Sequence, residues 1–191
     1  MRRNSREDIL SRALELFSQK GYEAVSPSEI VEKVGVKKPT LYYFFGSKEG
    51  LFEELLRINY EKLDAKLSAA CGCGQDDLHK MLTKIVNMFF DFAHENKEFY
   101  LWILSMSLAP PGSKTAAVSE KYHKRHYEIL IEVFSHAADT ELKLKGREFV
   151  ASYRFLALIN AQIGLWYRGF AKLNEDAAKT IADDFLYGVI A

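Results

Sequence analysis

Hydrogen-bond donors and positive charges are concentrated between residues 37 and 48 of this chain. The side chains concerned are Lys37, Lys38, Thr40, Tyr42, Tyr43 and Lys48. Lysine can bond to phosphate or to guanine acceptors, and tyrosine can bond to phosphate while its ring packs on sugar or a thymine methyl group. These residue types at this spacing indicate a surface that contacts duplex DNA. The alternative is a helical hairpin inside a core, but the first three side chains have no apolar face to bury.

The residues before this cluster predict a short helix that supports it. Ser26 and Glu29 have the spacing of a capping box, in which each side chain accepts a bond from the other's backbone amide. Pro27 fits the first helical position, where its missing N–H costs nothing. Apolar residues at helical spacing follow, and Gly35 ends the helix because glycine readily adopts the left-handed conformation.

The cluster itself is predicted to lie on a second helix that begins near Lys38 and ends near Phe45. Leu41 and one or both of Phe44 and Phe45 are expected to face inward. Two short helices joined by a tight glycine turn form a helix-turn-helix, whose second helix presents its N-terminal residues to base edges. Ser47 is expected to cap the next helix, where the helix end and Lys48 together would hold a phosphate.

Helical periodicity extends on both sides of this pair of helices. The first helix is predicted from Ser5 to about Lys20, and the fourth from Ser47 to about Ala70. The later helices are predicted at about 76–96, 97–108, 114 or 116–136, 146–172 and 175–190. The interpretation is an all-α chain.

The segment from Ala13 to Leu56, ALELFSQKGYEAVSPSEIVEKVGVKKPTLYYFFGSKEGLFEELL, resembles the N-terminal domain of the tetracycline-repressor (TetR) family. The resemblance implies a three-helix helix-turn-helix DNA-binding domain at residues 1–46. It also implies a C-terminal helical ligand-binding and dimerisation domain at 47–191, with the helix from Ser47 bridging the two. In this family a ligand changes the spacing of the two DNA-reading heads of a homodimer and usually relieves repression.

Four residues depart from the family pattern. Val31 replaces a usual alanine, Lys37 replaces a serine or threonine that often caps the recognition helix, and Phe44 replaces a histidine that often touches phosphate. Pro39 occurs in only some members. The docking mode is expected to persist while the base contacts differ. The expected DNA-binding residues are Ser26, Ser28, Lys37, Lys38, Pro39, Thr40, Tyr42, Tyr43 and Lys48.

The formal net charge is zero, so DNA affinity must depend on local placement of cations. Arg2, Arg3 and Arg6 could reach phosphates or a minor groove, although a disordered N-terminal tail is the alternative for Arg2 and Arg3. The polar start and the lack of a run of about eighteen apolar residues predict neither a signal peptide nor a membrane span, and hence a cytoplasmic protein.

No catalytic residues, metal site or cofactor are predicted. Motifs for phosphate loops, paired Cys-x-x-Cys, His-Glu-x-x-His and Gly-x-Ser-x-Gly do not occur in the sequence. Cys71 and Cys73 are too few for a structural zinc site. They could sense oxidants or lie in a flexible loop.

The last two predicted helices resemble the dimer-forming pair of the family. Small residues would allow close helix approach, and Ile181, Phe185, Leu186 and Val189 form an apolar face; two such pairs would make a four-helix bundle. These faces could instead complete the core of one protomer. The small residues are Ala157, Ala161 and Gly164.

Aromatic residues are frequent in the middle helices and could line a ligand cavity or form core. Since the family resemblance implies a pocket, we expect a small, mostly apolar or aromatic effector held with a few polar groups. The expected ligand-binding residues are Phe89, Phe92, Trp102, Met106, Tyr122, His126, Tyr153, Asn160 and Trp166.

The sequence therefore predicts a dimeric transcriptional regulator, released from a palindromic operator by its ligand. A dimeric helical carrier or partner-binding protein without regulatory DNA binding is the alternative.

Overall fold

The structure, a computed structural model, describes residues 5–71, 77–107, 109–110, 112–138, 141 and 144–190, and only the backbone of 189 and 190. Arg2, Arg3 and Cys73, together with the side chain of Val189, lie outside the described part. The regular structure within the described residues is helical and contains no strand. The predicted all-α fold is confirmed.

The N-terminal third of the chain forms three helices and the start of a long fourth one. Their bounds are α1 (Ser5–Lys20), α2 (Pro27–Val34), α3 (Lys38–Phe45) and α4 (Lys48–Cys71). These bounds follow the sequence closely because each helix begins or ends at a residue with a capping role, such as Ser26, Gly35 or Ser47.

The rest of the described chain forms five further helices and a short π-helical turn. Their bounds are α5 (Leu78–Glu95), α6 (Lys97–Met106), α7 (Lys114–Ala137), α8 (Glu148–Tyr167), α9 (Glu175–Phe185) and the π turn (Leu186–Ile190). Asp77 caps α5 by accepting from the amide of Lys80, and Asn174 caps α9 by accepting from that of Ala177.

Helix α8 ends five residues before its predicted end at Lys172. Gly169 lies in the left-handed region at φ 81°, and its amide donates to Trp166 O over 2.9 Å. The amide of Phe170 donates to Leu165 O, also over 2.9 Å. These bonds close the last turn in the manner of a glycine C-cap, so the apolar pattern beyond Tyr167 does not continue as helix.

The first of two compact units comprises Met1–Glu61 and Lys97–Tyr122. Its core is aromatic: Phe17 of α1, Phe52 of α4 and Trp102 of α6 are fully buried and their rings contact one another. The N-terminal helices thus share a hydrophobic core with α6. This shared core stabilises them, because α1, α2 and α3 alone are too small to bury much apolar surface.

The second unit comprises Lys62–Asn96 and His123–Ala191. Its centre includes Phe134, Phe155 and Phe185, whose ring centroids lie 5.1–5.8 Å apart. Ile181 and Phe185 of α9 are buried in this protomer. The sequence left open whether these two residues form a dimer contact or complete the protomer's own core, and their burial shows that they complete the core. A functional domain boundary at 46/47 stays a prediction.

Candidate nucleic-acid interface

Helix α2 is fixed at both ends by the residues that the sequence singled out. Ser26 Oγ accepts a hydrogen bond from the amide of Glu29 over 3.2 Å, and Gly35 adopts φ 76°. The reciprocal half of the predicted capping box is absent, because the Glu29 carboxylate instead pairs with Lys20 at 2.5 Å. That ion pair is the largest cause of the lowered pKa of Glu29. Ser28 lies half-buried in the first turn of α2.

Helix α3 is held by a small inner face and leaves most of its surface accessible. Leu41 is its one fully buried residue, whereas Lys37, Lys38 and Pro39 are exposed and Thr40 is half-buried. Lys37 occupies the N-cap position in extended conformation and makes no side-chain cap bond, as expected for lysine. Pro39 has no backbone N–H, and the amide of Thr40 donates to Lys37 O over 2.9 Å. The N-terminal end of α3 therefore combines a helix end that has no side-chain cap with two ammonium groups, an arrangement that favours anions.

The outer side of α3 carries aromatic rings. Tyr43 is 84% exposed, and its ring meets the edge of Phe44 at a centroid distance of 5.3 Å. Tyr42 and Phe44 are also exposed, while Phe45 is half-buried. Of the two phenylalanines at this point, Phe45 is the one that faces inward. Exposed aromatic residues beside positive charge indicate a contact surface.

Lys48, at the start of α4, contacts the connection between α1 and α2, which precedes the helix-turn-helix. Its ammonium is 4.2 Å from the centroid of the Tyr22 ring and 3.5 Å from Glu23 O. Burial lowers the pKa of Lys48, with Glu23 acting in the opposite direction and Lys114 in the same one. Ser47 Oγ accepts from the amide of Gly50 over 2.9 Å and so caps α4.

Arg6 is tied to the protein in this structure. Its guanidinium pairs with Glu54 and lies 5.6 Å from the centroid of the Phe45 ring. Glu54 also accepts from Arg57 over 2.7 Å, and the Arg57 bond is the largest cause of the lowered pKa of Glu54. Arg6 thus connects α1, α3 and α4, a structural role that the sequence analysis did not foresee.

Two of the residues expected to bind a ligand are core residues of the first unit. Trp102 is 1% exposed and stacks on Phe17 at 5.5 Å, and its ring also meets Phe52 at 5.2 Å. Met106 is likewise buried. A ligand contact by either residue stays a prediction, but the packing alone accounts for their burial.

Tyr122, a third residue of that set, also lies in the first unit. Its ring stacks on Tyr60 at 5.6 Å, and its hydroxyl donates to Glu53 O over 3.3 Å. Each half of this amphipathic side chain therefore has an intramolecular partner, and a ligand contact stays a prediction.

A polar pair lies among buried aromatics of the second unit. His126 is 5% exposed, and its Nδ1 is 2.8 Å from an oxygen of Asp64, while the Phe89 ring meets the imidazole edge-on at 5.5 Å. Phe92 is fully buried. Asp64 was not among the predicted site residues, although it follows Tyr60 by four residues and precedes Leu67 by three, the spacing of the inward face of α4.

The remaining three expected ligand-binding residues lie on α8. Tyr153 is 42% exposed and stacks on Tyr127 at 3.8 Å. Trp166 is half-buried against His94 at 4.7 Å, and Asn160 is half-buried. The structure therefore distributes the nine expected residues over two units, and their assignment to one pocket stays a prediction.

Cys71 has the properties of an unreactive thiol. Burial raises its pKa to about 11, and the nearby charge of Glu132 adds to the effect. Since the thiolate is the reactive form, these surroundings oppose oxidant sensing by Cys71.

The described residues include neither a metal-binding cluster nor a membrane-spanning helix. They contain no group of three or more His, Cys, Asp or Glu side chains that could hold a metal ion. Their helices also include none with the length and apolar character needed to cross a lipid bilayer.

The chain is similar to known proteins both in its helix-turn-helix and in its overall fold. The family described as bacterial regulatory proteins, tetR family, matches residues 9–55. The chain is 40% identical over 77 residues to the HTH-type transcriptional repressor ComR of Escherichia coli, a match that covers 40% of this chain and 37% of ComR. It is 34% identical over 97 residues to the uncharacterized HTH-type transcriptional regulator YdgC of Bacillus subtilis, covering 49% of this chain and 50% of YdgC.

The similarity to solved structures extends over nearly the whole chain. The TetR family transcriptional regulator PfmR from Thermus thermophilus has a TM-score of 0.71 and 25% identity, and the match covers 93% of each chain. By contrast, the chain spans only 37% and 50% of the length of the two curated relatives given above.

Proposed function

Because this chain belongs to the TetR family of bacterial regulatory proteins, we propose that it is a sequence-specific DNA-binding transcriptional repressor in the cytoplasm. The family consists of regulatory proteins, which agrees with the prediction of a non-enzymatic chain. The observation that carries the proposal is the surface of α3. Leu41 anchors this helix, while Lys37, Lys38 and Tyr43 remain exposed beside an uncapped helix N-terminus.

We propose that α3 enters the major groove and that its N-terminal residues read bases. Lys38 is our candidate for a contact with guanine acceptors. Lys48 and the amides of the first turn of α4 would bind a phosphate and fix the orientation of the head. Ser26, Ser28 and Tyr42 complete the proposed interface as backbone contacts.

A palindromic operator requires two heads, and the outer face of α8 supports a homodimer. Ala157 and Ala161 are exposed, and Phe149 and Leu165 nearer the helix ends are 58% and 45% exposed. Small residues between larger apolar ones permit close approach of an equivalent helix. The dimer contact would therefore come mainly from α8, because Ile181 and Phe185 of α9 are buried in their own protomer.

An Ala157→Arg variant tests this dimer. We expect the variant to sediment as a monomer and to lose cooperative binding to a two-fold-symmetric site. Thr180→Arg is the matched control, since Thr180 is exposed on α9 and the same charge is added there. A monomeric wild type, or dissociation by both variants alike, would contradict the proposed contact.

We further propose that a small, mostly apolar or aromatic effector relieves repression. Phe89, Phe92 and His126 are buried in the second unit, and Asp64 pairs with His126, so aromatic side chains there accompany one polar pair, the composition of many small-molecule sites. An effector would have to open this cluster to reach it. A ligand that binds only the folded state raises the melting temperature, so a thermal-shift screen tests this point. Stabilisation by strongly charged compounds alone would oppose it.

DNA titrations separate the repressor from a dimeric carrier of the same fold. Lys48→Ala should weaken binding to every sequence and lower the salt slope, the change of log K with log salt concentration, by about one. Lys62→Ala removes the same charge from an exposed position on the same helix and should leave the slope unchanged. A carrier would show weak affinity without sequence preference and no difference between the variants.

A further inference from the structure

The ammonium of Lys48 lies over an aromatic ring. Its Nζ is 4.2 Å from the centroid of Tyr22, and it is also 3.5 Å from Glu23 O. A cation within about 6 Å of a ring centroid is attracted by the negative face of the ring. Both partners belong to the connection between α1 and α2, so Lys48 joins that connection to the first turn of α4.

The Tyr22 ring is held firmly in place. It is 6% exposed, stacks on Phe52 at 4.4 Å with an interplanar angle of 25°, and meets the edge of Phe17 at 5.4 Å. Since Phe52 covers one face of the ring, Lys48 occupies the other. Phe52 in turn contacts Trp102 at 5.2 Å, so the ring beneath Lys48 is anchored in the aromatic core of the first unit.

The Tyr22 hydroxyl remains protonated under ordinary conditions. Burial, together with the charges of Glu49 and Glu23, raises the pKa of Tyr22 to about 12. The attraction between Lys48 and Tyr22 therefore comes from the face of a neutral ring and does not require a phenolate.

We infer that Tyr22 is a positioning residue for Lys48, whose ammonium it holds at the N-terminal end of α4 ready to bind a DNA phosphate. This inference rests on the proposed function. A lysine side chain that is ordered before DNA arrives loses less conformational entropy on binding than a free one. An ammonium has three N–H donors, of which the Glu23 carbonyl takes one and the ring face a second, which leaves one for a phosphate oxygen.

The first measurement needs no DNA. Ring currents should shift the NMR signals of the Lys48 ε-methylene protons upfield in the wild type. Tyr22→Phe keeps the ring and should keep the shift, whereas Tyr22→Leu should abolish it. Phe17→Leu is the matched control, because it removes a ring that touches Tyr22 in the same core and leaves Tyr22 itself in place.

The second measurement is the salt dependence of binding to duplex DNA. Tyr22→Leu should lower the salt slope by about one, as Lys48→Ala does, because the ammonium no longer pairs reliably with its phosphate. Tyr22→Phe and Phe17→Leu should keep the wild-type slope. The double variant Tyr22→Leu/Lys48→Ala should have the slope of Lys48→Ala alone, since both changes remove the same contact.

The possible results separate the two proposals. A wild type that prefers no DNA sequence would overturn the proposed function, and the DNA role of Tyr22 with it. A wild type that binds selectively, with an unchanged slope in Tyr22→Leu or an equal loss in Phe17→Leu, would overturn only the positioning role. Circular dichroism checks that each variant folds, and Tyr22→Met replaces Tyr22→Leu if the latter does not.

Discussion

Replacing Trp102 with alanine should destabilise the DNA-binding unit even when no ligand is present. Trp102 is 1% exposed, and its ring lies 5.5 Å from Phe17, 5.2 Å from Phe52 and 6.4 Å from Phe99. Truncation of a buried aromatic residue to alanine typically costs about 3–5 kcal/mol of unfolding free energy. Three ring contacts place Trp102→Ala in the upper part of that range, at roughly 4–5 kcal/mol.

Thermal unfolding followed by circular dichroism measures this loss. For a chain of this size, each kcal/mol lowers the melting temperature by about 2–4 °C, so we expect a decrease of roughly 8–20 °C. If the two units melt separately, the decrease should appear in the transition of the unit that contains Trp102. The chain has two tryptophans, so in Trp102→Ala the fluorescence of Trp166 follows the second unit alone. A circular-dichroism transition that fluorescence does not share then belongs to the first unit.

Trp166→Ala is the matched control, since Trp166 is half-buried in the other unit. Its loss should cost about 1–2 kcal/mol, closer to an ordinary substitution. If Trp102→Ala melts within about 3 °C of the wild type, or if both variants lose equal stability, then Trp102 is not central to the core of the first unit.

Three further predictions concern the cap, the base contact and the thiol. Ser26→Ala should lower the unfolding free energy by about 1 kcal/mol in denaturant titrations, because the Glu29 amide loses its partner; Ser26→Asn should restore most of it. Lys38→Ala should cost roughly 1–3 kcal/mol of operator binding and relax specificity at one position per half-site, and an unchanged sequence preference would remove Lys38 from the base-reading set. In a Cys73→Ser background, Cys71 should react with iodoacetamide at pH 8 about a hundredfold more slowly than an unhindered thiol, because its pKa of about 11 leaves little thiolate; equal rates before and after unfolding would contradict this.

The helix-turn-helix was predictable because its limits depend on local chemistry. A serine cap at Ser26, a left-handed glycine at Gly35 and a second serine cap at Ser47 act over three or four residues. Such signals can be recognised from the sequence without knowledge of the tertiary structure. The exposure of Lys37 and Lys38 follows from the same local pattern.

Interactions between distant residues were not predictable in the same way. The sequence gives no indication that the Glu29 carboxylate pairs with Lys20 instead of the amide of Ser26, because both donors are within its reach. The approach of Lys48 to Tyr22 and to Glu23 likewise depends on how α4 packs against α1, and Glu23 precedes Lys48 by 25 residues.

The aromatic residues show the same limit on a larger scale. Helical spacing correctly places Trp102 and Phe89 on inward faces, but periodicity cannot say which core each face joins. The structure assigns Trp102 to the first unit and Phe89 to the second. A shared ligand pocket for the whole set therefore needs direct observation of a bound effector.

Selection of bound sequences from random duplex DNA tests the central claim most directly. We expect the wild-type protein to enrich one sequence with two-fold symmetry, and Lys38→Ala to change the preference at matching positions of both halves. A relevant control is the Lys62→Ala protein, which should enrich the wild-type sequence. Retention of DNA without any enriched sequence would contradict the claim that α3 reads the major groove.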